Sequence, residues 1–185
     1  MLYRFSARWA QCEVGLAAFF AMLVTLLILV NVVTRAANSA IFWIDEAAIY
    51  TMIWMTFLAA SAAIHYKSSV SVSILIDLLP RKGLAIAQLG VDLIILVFAV
   101  LIVWCCWIWF DPAALWDSGF DTEAFQGETF NFIYAEPTNT LGFGKAWIWT
   151  IMPIFAAGLV LHAISNVIGT LTGLLANKSI GRNHP

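Results

Sequence analysis

The chain has 185 residues, of which 62% are hydrophobic and 11% charged, with nine tryptophans and a formal net charge of −2; its mean hydropathy is +0.90. Soluble domains run near half apolar and about a quarter charged, so this composition excludes an ordinary soluble protein. A bilayer core about 30 Å thick takes about 20 apolar residues per helical crossing, so the length allows four crossings with modest loops and excludes a separate enzyme head or nucleic-acid-binding module.

The opening stretch sets Leu2, Phe5 and Trp9 against Arg4 and Arg8 and reads as a surface helix running into the first crossing, residues 14–34, between Glu13 and Arg35. Its apolar run is about twice the core of a signal peptide, which predicts a retained helix. The second crossing covers 46–64, opened by Asp45 and Glu46 and closed by His65 and Lys67. Residues 66–82 form an amphipathic segment, with a short interfacial helix predicted over 72–79 and stopped by Pro80. The third crossing covers 84–109, interrupted by Asp92 alone and closed by Asp111-Pro112. A long connection, 110–145, is rich in glycine and aromatic residues, a density that predicts packing onto this protein's own outer face or onto a partner. The fourth crossing covers 146–171, with Pro153 marking its first turn or a kink. Continuous, non-alternating apolar runs exclude a β-barrel. The expected fold is a single-domain, all-α integral membrane protein with four transmembrane helices.

Seven of the nine lysines and arginines (Arg4, Arg8, Lys67, Arg81, Lys82, Lys178, Arg182) fall on one side of that arrangement, and Arg35 and Lys145 on the other. The positive-inside rule then makes both termini and the central loop cytoplasmic and the 110–145 connection external. Trp43, Trp107, Trp109, Trp116, Trp147 and Trp149 cluster near the proposed outer interface, as an aromatic belt does.

Little chemistry remains. Cys12, Cys105 and Cys106 lie in or beside crossings and none falls in the external connection, which argues against a disulfide-generating enzyme or a bridged extracellular loop. A membrane haem needs two facing histidines at one depth. His65 ends the second crossing and His162 lies a few turns inside the fourth, a poor match that keeps a haem-binding anchor subunit as an alternative. Asp92, the single acid well inside a crossing, is either the coupling carboxylate of a self-sufficient small exporter or a carboxylate paired with Arg81, Lys82 or a partner helix. Asp45 and Glu46 sit where the positive end of a helix dipole stabilises them and where they cap the helix, and Arg35 is placed to pair with either. Asn31 and Asn166 offer interhelical hydrogen bonds. No phosphate loop, metal-ligand cluster or activated nucleophile is legible, so neither a catalytic site nor a cofactor is expected.

The stretch from Asn31 to Pro80 carries a sharper pattern: Asn31-Val32-Val33-Thr34-Arg35 leaving the first helix, Trp43 and Asp45-Glu46 opening the second, then Tyr50, Trp54, Phe57, Leu58 and Ala60, an amphipathic Val70-x-Val72-x-x-Leu75 stretch and Leu79-Pro80. This pattern resembles the small membrane subunit of tripartite ATP-independent periplasmic (TRAP) transporters. The resemblance implies a non-catalytic scaffold in a bacterial inner membrane. It would be packed on the stator of a large multi-span membrane subunit that imports an organic acid or similar solute on a sodium gradient, after delivery by a periplasmic solute-binding protein. Structural or partner contacts are then expected at Arg35, Trp43, Asp45, Glu46 and Trp54, with Asp92 as a further structural contact.

Overall fold

The computed structural model describes residues 1–67 and 81–180, so the surface helix expected at 72–79 lies outside the described residues. The helices among them are α1 (Leu2–Ala36), α2 (Phe42–Tyr66), α3 (Arg81–Phe110), α4 (Pro112–Asp117), α5 (Thr122–Thr129), α6 (Ala146–Trp149) and α7 (Ile151–Ile180). Four of these, α1, α2, α3 and α7, are long and apolar enough to cross a membrane. A helix is the form that closes its own backbone hydrogen bonds in lipid, and these runs hold no helix breaker between their first and last turns. Their outward faces stay exposed, with Phe19, Met22, Leu26 and Leu29 on α1 and Ile94, Val97, Phe98, Leu101 and Trp104 on α3. Such faces belong to a protein whose surroundings are apolar.

α1 lies along α2, α3 lies along α7, and contact between α2 and α7 joins the two pairs. The buried face of α7 includes Ala156, Leu159, Ala163 and Val167, spaced three or four residues apart, and Leu159 and Ala163 pack with Ala99 of α3. Small side chains there let the helix backbones approach closely. One core cluster gathers Ala17, Leu58 and Ile151 beneath Phe20, Trp54 and Phe57. The other gathers Ala99, Leu159 and Ala163 beneath Ile95 and Phe155. Phe57 and Phe155 meet edge to face at 5.1 Å between the two.

The first helix runs as expected, and the last extends past its expected end. α1 starts at Leu2 and runs unbroken through Glu13, so the surface piece and the crossing are one helix. α7 runs past the expected end at 171 to Ile180. Pro153 stands in the first turn of α7, where its missing N–H removes no intrahelical bond.

The 110–145 connection folds back on the bundle. Asp111 caps α4 by accepting from the Ala114 N–H at 3.2 Å, and Asp121 caps α5 by accepting from the Glu123 and Ala124 N–H groups at 2.9 and 3.2 Å. Phe125 and Ile133 are buried, and Phe125 packs on the Tyr134 ring at 5.2 Å. The Tyr134 hydroxyl donates to the Phe110 carbonyl and Asn131 Nδ2 to the Trp109 carbonyl, both at 2.7 Å. These bonds occupy carbonyls that the last turn of α3 leaves without helical partners. Part of the aromatic density in this segment is thus spent on the protein's own surface. Burial and the neighbouring charge of Asp111 push the Tyr134 hydroxyl above the ordinary tyrosine range. Contacts between the start of α1, the ends of α2 and α7 and the start of α3 place the start of α1 and the last turns of α7 at one end of the bundle, and the 110–145 connection at the other.

Candidate functional site

The residues expected to make structural contacts fall into separate clasps. At the end of the bundle that carries the long connection, Arg35 at the last turn of α1 forms an ion pair with Asp45 in the first turn of α2, and Asn31 Nδ2 donates to the same carboxylate. Arg35 Nε also donates to Asn31 Oδ1 at 3.1 Å. The Arg35 and Asp45 side chains remain 60% and 46% exposed, so this pair contributes on the order of 1 kcal/mol or less.

Glu46 does something else. Oε1 accepts from the Tyr50 hydroxyl and the Asn139 N–H, both at 2.8 Å, while Oε2 accepts from the Thr140 N–H at 2.6 Å and from the Thr140 hydroxyl. The carboxylate fastens the far half of the long connection to α2. Neither acid caps the helix as expected, because α2 begins at Phe42 and its N-cap, Ile41, makes no side-chain bond, leaving both acids inside the first turns. Trp54 Nε1 donates to the Ile148 carbonyl at 3.0 Å, tying α2 to α6. Trp43 stands apart from these bonds and is about half exposed.

Asp92 is 2% exposed. Its Oδ2 accepts from Lys67 Nζ at 2.9 Å and from the Thr170 hydroxyl at 2.6 Å, and its Oδ1 accepts from Gln88 Nε2 at 3.0 Å. A cation beside it is Lys67; the side chains of Arg81 and Lys82, the expected partners, lie outside those described. Lys67 follows α2 directly in a left-handed conformation that ends the helix and brings its amine to the start of α3. The carboxylate therefore joins α2, α3 and α7. Asn166 Nδ2 adds a bond to the Ile64 carbonyl at 2.8 Å across α7 and α2, and with the Asn31 bond both asparagines make the interhelical contacts expected of them.

The largest buried polar group was not foreseen. Glu13, 3% exposed, accepts from Trp9 Nε1 at 2.8 Å and pairs with His162 Nε2 at 2.9 Å. Nδ1 of His162 and Nδ1 of His65 both lie 2.8 Å from Ser6 Oγ. The cluster joins α1, α2 and α7. Asp92 is therefore not the sole acid inside the bundle. His65 and His162 are also neighbours, with rings 5.2 Å apart. They share a depth because α7 continues from His162 to Ile180, about 27 Å at 1.5 Å per residue, well beyond the end of α2. Both nitrogens of His162 are engaged, which leaves it no lone pair for an iron, so the geometry fits a hydrogen-bonded pair and not a haem clamp.

A cavity of about 380 Å³, lined by residues that include Phe20, Tyr50, Trp54, Leu141 and Phe143, holds no charged side chain. Among the described residues no group of three or more His, Cys, Asp or Glu could hold a metal ion.

Four apolar helices with polar side chains turned toward one another define a multi-pass all-α membrane protein whose ionisable groups fasten its own elements together. Residues 24–173 match the family model described as tripartite ATP-independent periplasmic transporters, DctQ component, and the chain belongs to that family. It is similar to a protein of Haemophilus influenzae named as a TRAP transporter small permease protein, with 37% identity over 89 residues, 48% of this chain and 55% of that one. It is also similar to the isethionate TRAP transporter permease protein DctMQ of Oleidesulfovibrio alaskensis, with 32% identity over 75 residues, 40% of this chain and 12% of that one. The match thus spans about half the length of the first relative and a small part of the second.

Proposed function

We infer that the chain acts as the non-catalytic small subunit of a sodium-coupled TRAP-type importer of an organic acid or similar solute, enlarging the fixed frame of a large multi-span membrane subunit. The observation that supports this reading is where the buried charge goes: Glu13, Glu46 and Asp92 are each bonded to other parts of the same chain, which leaves the exposed apolar helix faces for association by packing. A transporter in its own right would need charged groups facing a water-filled path. The name of the Oleidesulfovibrio relative, which joins the M and Q designations in one permease, supports a large subunit as partner. A periplasmic solute-binding protein would reach this chain only through the complex. The distribution of Lys and Arg supports cytoplasmic termini in a bacterial inner membrane.

The test is affinity purification of the tagged chain from a mild-detergent extract of its own cells. A large multi-span membrane protein is expected in stoichiometric amount, and solute uptake in vesicles should require both chains. Uptake by this chain reconstituted alone would overturn the scaffold reading.

A further inference from the structure

The Glu13 cluster has one property that a mere clasp does not need: its hydrogens can be counted, and they point one way. Ser6 Oγ carries a single hydrogen yet lies 2.8 Å from two imidazole nitrogens, Nδ1 of His65 and Nδ1 of His162. It donates to one and must accept from the other. The Glu13 carboxylate already accepts from Trp9 Nε1, and as an ionised acceptor it requires a hydrogen on His162 Nε2. A neutral His162 then has a bare Nδ1, which receives the Ser6 hydrogen, and Ser6 in turn accepts from His65 Nδ1–H. The chain of donors runs His65, Ser6, His162, Glu13. His65 Nε2 is left with a lone pair at the outer end, one residue from the end of α2.

We propose that this chain is a proton-binding site of the subunit, in which a proton taken from water at His65 Nε2 is delivered to the Glu13 carboxylate. The transfer balances bond by bond. A proton from hydronium joins His65 Nε2; the His65 Nδ1 proton moves to Ser6 Oγ; the former Ser6 proton moves to His162 Nδ1; the His162 Nε2 proton moves to Glu13 Oε2. Each N–H or O–H formed matches one broken, and one water molecule is released. Every contact survives with its direction reversed: Glu13 Oε2–H donates to His162 Nε2, His162 Nδ1–H donates to Ser6, and Ser6 donates to His65. The Trp9 bond to Oε1 is unaffected.

Burial decides where the proton rests. Ser6 and His162 are fully buried, Glu13 is 3% exposed and His65 8%, so an imidazolium–carboxylate pair would keep two charges out of water, whereas the relayed state keeps none. Among the described residues, the titratable groups facing the chain from its surroundings include Tyr3 of α1 and Tyr66 of α2, with rings 5.6 and 5.0 Å from that of His65. Asp92 of α3, at the same end of the bundle, is neutralised by Lys67. Ser61 Oγ, buried and without a partner, stands beside the carboxylate across Gly158.

The test uses the full chain in lipid bilayers with 15N-labelled histidine; the sequence holds three histidines, so His65 and His162 resolve against His184. Above the transition His65 should be the Nδ1–H tautomer and His162 the Nε2–H tautomer. On acidification from about pH 8 to about pH 5, the range in which imidazoles exchange protons, both should switch tautomer at one common midpoint without passing through imidazolium. A protonated-carboxyl infrared band that Glu13→Gln removes should appear at the same midpoint. Ser6→Ala should uncouple the two histidines. Imidazolium at either histidine, separate midpoints in the unmodified chain, or tautomers that do not respond to pH would each overturn the proposal. Tautomers and midpoints are measured on the unmodified chain, so the test decides even if a variant fails to fold.

Discussion

Gly158 measures how firmly the Glu13 clasp is held. A Cβ at this position would lie 2.5 Å from Glu13 Oε1, 2.6 Å from Ser61 Oγ and 3.1 Å from Trp9 Nε1. A glutamate tip normally swings away from such an intrusion at small cost, but this one is bonded on both oxygens, to Trp9 and to His162. Gly158→Ala therefore overpacks the site, at about 1–3 kcal/mol, and by pushing the carboxylate aside adds the loss of a charged hydrogen bond, about 1.5 kcal/mol at the low end that membrane proteins favour. Against this stands the gain of about 1 kcal/mol that alanine brings over glycine inside a helix. The net destabilisation comes to about 1.5–3.5 kcal/mol, roughly a ten- to three-hundred-fold shift in the unfolding equilibrium.

Gly169→Ala is the control. Gly169 lies on the same helix, and nothing stands within 4 Å of its Cβ position, so the substitution should be neutral or stabilising by up to about 1 kcal/mol. Reversible unfolding in mixed detergent and denaturing micelles, followed by far-UV circular dichroism, measures both. A second comparison isolates the cause: in the Glu13→Ala background Gly158→Ala should lose the share of its cost that comes from the carboxylate, while the contact with Ser61 Oγ at 2.6 Å remains. Equal stability of the two alanine variants, or simple additivity in the double variant, would refute the reasoning.

Other perturbations test the remaining clasps. Glu46→Ala removes the acceptor for the Asn139 and Thr140 amides; hydrogen exchange should speed at those two residues by about tenfold or more, while core amides of α7 stay protected. Lys67→Met leaves the buried Asp92 carboxylate, among the described residues, with the neutral donors Gln88 and Thr170; because the lysine side chain is 37% exposed, the screened cost is about 1–2 kcal/mol, and adding Asp92→Asn should recover most of it in the same unfolding assay. Tyr134 tests pH dependence. Its folded-state pKa is raised by burial and by Asp111, so its contribution is complete below about pH 10, the unfolded value. That contribution is lost as pH rises through the folded value, where ionisation removes the donor to the Phe110 carbonyl. Thermal melts should show an alkaline loss of stability that Tyr134→Phe lacks, and identical alkaline profiles would count against the assignment.

The four crossings and the Arg35–Asp45 pair were legible in the sequence because their signals are local: an unbroken apolar run, or two charges facing each other over a short turn. Glu13 was not, because a charge next to an apolar run reads as the edge of a crossing, and its partner His162 lies 149 residues away. A signal was nonetheless present. Ser6, Trp9 and Glu13 are spaced by three and four residues and so share one face of a helix, a polar stripe that makes sense only if it faces inward. The partners of Glu46, 93 and 94 residues distant, left no trace of that kind, since a backbone N–H is the same in every residue. The physical role of such groups follows from the solvent. Lipid is as apolar as leucine, so apolar faces alone distinguish poorly between one helix register and the next. Sliding α7 by one turn, about 5.4 Å, would take a partner from Glu13, Asp92 and the Ile64 carbonyl at once, since His162, Thr170 and Asn166 all sit on that helix. Each unpaired group inside the bundle is costly. In this bundle the buried charges are what specify one geometry.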